Sequence, residues 1–236
     1  MLTTIAPGLW GFENDLFMPG GIHFRGRTTV VRLASGGLLL HSPNPITDTL
    51  AAEIESLGPV EVLVAPNNLH HTHFAAAATR WPTAQRWGAP GLPKKRPDLD
   101  FHHILQHDSP PWASTFAPIP IDGIPWLDET VFFHRETGTL VFTDLFFNIH
   151  NPANWQTRLL FWMYGILGRP AQSPLVRLAA KDRPRAGQSA QSLLNLQVER
   201  LVPAHGPVVE DHSAATLEQV LARQVAWAPT TLTHTH

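Results

Sequence analysis

Three histidines fall within four positions of the stretch Ala65-Pro66-Asn67-Asn68-Leu69-His70-His71-Thr72-His73-Phe74. Imidazole is the commonest protein ligand for transition metals. The chain has no cysteine, so zinc, iron or manganese could be held only by imidazole and carboxylate. Three further residues able to do such chemistry occupy comparable places: His41 follows Leu38-Leu39-Leu40, Asp144 follows "TLVFT", and His205 follows "RLVPA". A lone histidine after an apolar run is more often a hydrogen-bonded surface residue than a ligand. Four chemistry-bearing positions, each just beyond the C-terminal end of an apolar run, point to a metal site, because strands of a layered α/β scaffold can aim several side chains at one point.

The elements that must carry these residues are legible in part. Thr28 to Pro43 reads as two β-rich runs around the turn Ser35-Gly36-Gly37. Ile46 to Gly58 reads as a helix with Thr47 as cap, Leu50, Ile54 and Leu57 on one face, and Gly58 as stop. "VEVLVAP" is almost wholly apolar, as expected of a strand covered on both faces. "AAAATRW" behind the histidines has helical propensity, which places the cluster in a strand-to-helix loop. Gly88 to Pro125 is dense in proline and reads as loops and short edge strands; its His102, His103 and His107 have no spacing that suggests a ligand set. "TVFFH" and "TLVFTD" read as strands joined by "RETG", and His134 as a strand residue without a role. Helices are expected from about Gly187 to Glu199 and from about Ser213 to Trp227, flanking the strand that leads to His205.

Composition limits the partners. The 236 residues are 43% hydrophobic and 15% charged, enough for a sizeable core without staples, and a net charge of −2 gives no basic field of the kind that draws proteins to nucleic acid or anionic lipid. A small-molecule substrate is therefore expected, with neither nucleic acid nor a membrane as partner. The longest apolar run, Leu159 to Gly168, is shorter than the about 20 residues needed to span a bilayer and reads as core, or as the subunit contact of a homo-oligomer. "MLTTIAPGLWGFEND" has no basic segment followed by an apolar one, which makes the cytoplasm the default compartment. Pro93 to Pro97, "PKKRP", reads as a solvated basic loop that could meet an anionic substrate, and Thr233 to His236 as a loose tail.

"LLLHSP", "APNNLHHTHF", "TLVFTDLFFN" and "LVPAHGPVV" follow the order and approximate spacing of the metallo-β-lactamase superfamily, and "HSPNPIT", "GLPKKRPDL" and "VFFHRETGTLVFTDLFFN" resemble a bacterial branch of it carried as a domain of unknown function. The resemblance implies an α/β fold, a four-layer αββα sandwich, with the whole chain, 1–236, as one domain. It aligns the family's H-x-H-x-D-H loop with Asn68-x-His70-x-Thr72-His73. Asn68 then replaces one zinc-binding histidine, and Thr72 the aspartate that ligates a second metal or acts as base. Asp144 matches the bridging carboxylate and His205 the last histidine ligand. The family's middle histidine falls near Pro125 and Trp126, where there is no imidazole, and His41 stands where a second-shell aspartate is usual.

What the resemblance implies is one divalent metal, zinc first with iron or manganese as alternatives, held by His70, His73, Asp144 and His205. His41, Asn68 and Thr72 would lie around those ligands. Thr72 cannot act as a base, so Asp144, His71 or His41 would accept the proton. The implied chemistry is hydrolysis of an ester, lactone, thioester or related bond. The competing expectation is a catalytically degenerate member that holds no metal and serves as a binding module for a small molecule or protein. In that case Asp144 is a strand-end cap and His205 a turn residue whose ring bonds a carbonyl.

Overall fold

A computed structural model describes residues 1–229; the tail Thr233 to His236 lies outside them. Seven strands form the first sheet in sequence order: β1 (Thr3–Ala6), β2 (Leu9–Met18), β3 (Ile22–Arg32), β4 (Leu38–His41), β5 (Val60–Ala65), β6 (Gln85–Gly88) and β7 (His103–Ile104). Pairing is antiparallel from β1 to β4 and parallel from β4 to β7. The second sheet begins with β8 (Phe116–Pro120), β9 (Thr130–His134) and β10 (Thr139–Phe142). A short ribbon, β11 (Phe147–Asn148) with β12 (Pro170–Ala171), precedes β13 (Arg200–Pro203), which runs parallel to β10 and completes the order β13-β10-β9-β8. Helices α1 (Asp48–Glu55), α2 (Phe74–Arg80) and the single turn α3 (Leu92–Lys95) belong to the first half; α4 (Trp155–Met163), α5 (Pro174–Leu178), α6 (Arg183–Leu194) and α7 (Ser213–Val225) belong to the second.

Side-chain alternation along the strands explains the layering. Leu39, Val62 and Val64 pack with Phe116, Phe132, Val141 and Val202 between the two sheets. Their neighbours Leu38, Leu40 and Leu63 point the other way, onto Leu50 and Ile54 of α1 and Phe74 and Ala77 of α2. On the far side Phe133, Leu140, Phe142 and Leu201 meet Ala186, Ala190 and Leu193 of α6 and Leu217 and Leu221 of α7. The order is helix, sheet, sheet, helix, so β4 and β5 are buried on both faces and read as continuous apolar runs.

Local signals positioned these elements well. Leu33 N–H donates to the Gly37 carbonyl at the turn of the β3–β4 hairpin, and Thr47 caps α1 by accepting from Leu50 N–H at 3.3 Å. The sixth helix starts at Arg183, earlier than its apolar spacing suggested, because Asp182 caps it through Arg185 N–H and Pro184 fits its first turn. Among the described residues no helix is long and apolar enough to cross a membrane. The 159–168 run divides between α4 and the turn after it, and only part of it is core.

Candidate metal centre

His70, Asp144 and His205 meet at one end of the sheets, each carried by the segment that leaves a strand: β5, β10 and β13. His70 Nε2 lies 3.2 Å from Asp144 Oδ2 and 3.3 Å from His205 Nε2, and His205 Nε2 lies 3.7 Å from Asp144 Oδ1. A tetrahedral zinc ion with bonds of about 2.0–2.1 Å has ligand–ligand edges of roughly 3.3–3.4 Å. The three residues therefore fit one divalent ion with a fourth position open, and they form the one such His and carboxylate group among the described residues.

Each side chain is held from behind. His205 Nδ1–H donates to the Arg25 carbonyl at 2.9 Å, which leaves Nε2 unprotonated in the neutral ring and facing the centre. The bond expected of a mere turn residue is thus the one that orients the ring. Phe147 stacks on the imidazole at 5.8 Å and Phe24 meets its edge at 5.2 Å. Gly206 permits the turn after it: its φ is +106°, and a β-carbon there would run into the Asn148 backbone. His70 Nδ1 sits 2.5 Å from Ser42 Oγ. Asn67 joins the remaining parts: its Oδ1 accepts from Leu69 and His70 N–H, both at 2.8 Å, while its Nδ2 donates to Asp144 Oδ2 at 2.7 Å. One amide therefore turns the histidine loop and steers the carboxylate.

Beneath Asp144 lies Glu129, which sequence reasoning missed. It is completely buried and accepts from the backbone N–H groups of Thr143, Asp144 and Leu145 at 2.8, 2.8 and 2.9 Å. The sole signal in the sequence is an acid placed directly before the apolar strand "TVFF", where a charge must find buried donors.

Electrostatics follow from this crowding. Burial alone would raise Asp144, but His70, His205 and the Asn67 amide outweigh it and hold the carboxyl at about 2. Burial would lower His70, yet Asp144 outweighs it and raises the ring above its usual value. His205 falls to about 4, through burial first and then through the nearby His70. Burial and the Asp144 charge push Glu129 up to about 7, against amide donors that favour its ionised form.

The remaining expected positions lie elsewhere. His73 is not brought into the trio. Asn67 winds the loop into turns instead of an extended segment, and His73 becomes the half-buried residue that opens α2 while Phe74 anchors the helix in the core. His71 also turns away: Arg96 Nη1 lies 2.8 Å from its Nδ1, and burial, with Lys95 and Arg96, lowers the ring below its usual value. An arginine can only donate, so the accepting nitrogen of His71 is already engaged. Thr72 is exposed. His41 is buried edge-on to Phe116 and Phe132 with its Nε2 unpartnered, and makes no hydrogen bond to the trio. Asn68 donates to the Pro125 and Trp126 carbonyls at 3.2 and 3.4 Å, and its own carbonyl accepts from Lys95 Nζ at 2.5 Å. Lys95 and Arg96 of the "PKKRP" turn thus clasp the histidine loop.

Residues 8–159 match the model of a family described as a domain of unknown function (DUF4336). No curated protein matches the sequence. Among solved structures, a metallo-β-lactamase from Erythrobacter litoralis superposes with a TM-score of 0.66 at 13% identity, covering 94% of this chain and 96% of its own. One from Pontibacter korlensis gives 0.63 at 14% identity over 94% and 98%. FIM-1 from Pseudomonas aeruginosa, solved in a mono-zinc form, gives 0.59 at 17% identity over 97% and 96%. The family match spans more than half of the chain and the structural likeness nearly all of it: the protein belongs to the DUF4336 family and has the metallo-β-lactamase fold.

Proposed function

We propose that the protein is a metal-dependent hydrolase with a mononuclear centre, in which His70, Asp144 and His205 hold one divalent ion, zinc by preference, and that it acts on an ester, lactone, thioester or related bond of a small molecule. The observation that carries this is the convergence of two imidazole Nε2 atoms and one carboxylate at separations of 3.2, 3.3 and 3.7 Å. When bound, such an ion supplies Lewis acidity, polarising a carbonyl and acidifying water toward a pKa of about 7.

The chain's own residues do the positioning. Ser42 and the Arg25 carbonyl fix the two rings, and Asn67 and Glu129 fix the carboxylate, so three side chains face one point before any ligand arrives. Asp144 stays anionic across the neutral range and is the group placed to take a proton from water, since Arg96 already occupies the accepting nitrogen of His71. A second reading, a non-catalytic binding module, draws on Asn68 and Thr72: one is tied to backbone carbonyls and the other is exposed, so neither supplies metal chemistry.

Metal analysis of protein purified without a nickel column separates the two. About one equivalent of zinc or iron per chain, lost in His205→Ala and Asp144→Ala variants that still fold, supports the hydrolase. Protein that takes up no divalent ion, with a melting temperature unchanged by chelator, refutes it.

A further inference from the structure

We propose that α4 and the turns that flank it form a docking face for the surface of an anionic lipid bilayer. Trp155, Leu159, Trp162 and Met163 stand at i, i+4, i+7 and i+8, one face of a helix, and that face points outward, with each side chain between 46 and 69% exposed. The opposite face is apolar as well: Phe161 is buried with Ile149, Ile166 and Ala171, and its ring meets Phe24 at 5.7 Å. Core packing accounts for the inner stripe and leaves the outer one without a partner. Further exposed apolar side chains lie on the neighbouring segments. Gly165, in the turn after α4, lies next to Pro174, the first residue of α5, on which Leu175 and Leu178 are also exposed. The tip of the β2–β3 hairpin, with exposed Phe17 and Met18, is tied to the start of α4 by Asn154 Nδ2 donating to the Gly21 carbonyl and His23 N–H donating to Thr157 Oγ1, both at 2.8 Å.

Charge identifies the occupant. From 145 to 181 the chain has no aspartate or glutamate and four cations: Arg158, Arg169, Arg177 and Lys181. Thirteen basic and nineteen acidic residues remain elsewhere, so the whole-chain charge of −2, on which the expectation of no lipid partner rests, averages over a strongly asymmetric distribution. Exposed tryptophan, leucine and methionine on a segment whose charged side chains are all cationic have the composition of an interfacial helix, whose apolar face enters the headgroup boundary while its cations meet anionic lipid; the hairpin tip adds one exposed acid, Asp15, which lies against His23 and Arg25. A second copy of the chain would bring like charges together across the same face.

Co-sedimentation of the full chain with vesicles tests this. Binding is expected to equimolar phosphatidylglycerol and phosphatidylcholine, to be much weaker to phosphatidylcholine alone, and to decline with salt. Trp162→Glu should reduce partitioning about tenfold or more. Arg158→Gln, which leaves the apolar face intact, should reduce it about fivefold, the factor for one cation at an anionic surface. Both positions are exposed, and an unchanged melting temperature verifies that the variants fold. No binding to either vesicle, or equal binding to both, overturns the proposal. So does a dimer in sedimentation equilibrium that Trp162→Glu converts to monomer.

Discussion

Glu129 offers the most direct test of how the centre is supported. Its carboxylate is the acceptor for three consecutive backbone N–H groups, at Thr143, Asp144 and Leu145, in a place water does not reach. Glu129→Ala strands all three donors. An unsatisfied buried group costs about 1–3 kcal/mol, and water entering the vacated space returns part of that, so a loss of about 3–5 kcal/mol is expected. Glu129→Gln keeps the volume. Its carbonyl oxygen can still serve Asp144 and Leu145, which share Oε2, but its amide nitrogen confronts the Thr143 donor, for a loss of about 1–3 kcal/mol. Urea unfolding at constant m should rank wild type above Gln above Ala at pH 5, and the wild-type margin over Gln should shrink as pH rises to 8, because a folded value raised from 4.5 to about 7 makes ionising the buried carboxyl cost stability across that window. Zinc affinity should follow the same order, since Asp144 loses the anchor of its own amide. An alanine variant within about 0.5 kcal/mol of wild type would refute the account, because three unpaired buried amides cannot cost so little.

His41 gives a pH signature. Burial and the nearby His70 lower it from 6.5 to about 3, so it folds neutral; the stability this neutrality secures is present above pH 6.5 and is lost as pH falls toward 3, where the unfolded chain takes a proton the folded chain refuses. His41→Phe removes that penalty, and its stability relative to wild type should improve by about 2 kcal/mol between pH 7 and pH 5; a pH-independent difference would show that His41 is not held neutral. Asn68→His, the change that the family motif would restore, should yield no second metal. Its amide bonds to Pro125 and Trp126 would be lost, and the larger ring would press on Gly91, whose missing β-carbon already leaves room only for asparagine. A stability loss of about 1–3 kcal/mol with metal content unchanged from wild type is expected; an additional equivalent of bound zinc by mass spectrometry would overturn this.

What could be read from the sequence was whatever local pattern decides. The apolar runs of β4 and β5, the Thr47 cap and the strand-end placement of His70, Asp144 and His205 all lie within a few residues of their causes. His73 lies outside the trio because the loop's path is set by the side chain of Asn67, which converts an expected extended segment into turns. Glu129 was invisible because its donors lie 14 to 16 residues away on the far side of a strand turn. For α4 the difficulty was ambiguity: Trp155, Leu159, Trp162 and Met163 have the spacing of a core stripe, and only the placement of Phe161 underneath shows that they face outward.

The two places where the sequence lacks the histidines that the resemblance would lead one to expect touch each other. Asn68, which the resemblance aligns with a first histidine, donates to the carbonyls of Pro125 and Trp126, where it would put the middle one, and these bonds clasp the histidine loop to the entry to β9. In the neighbouring trio two Nε2 atoms lie 3.3 Å apart in a buried space, one on a ring that burial keeps from protonating and the other on a ring beside a carboxylate that favours its protonation. A proton can serve one of these nitrogens at a time, whereas a divalent cation would meet both lone pairs and the carboxylate at once. Ser42, Asn67, Glu129 and the Arg25 carbonyl hold the three groups in that arrangement, so the geometry is set by the fold.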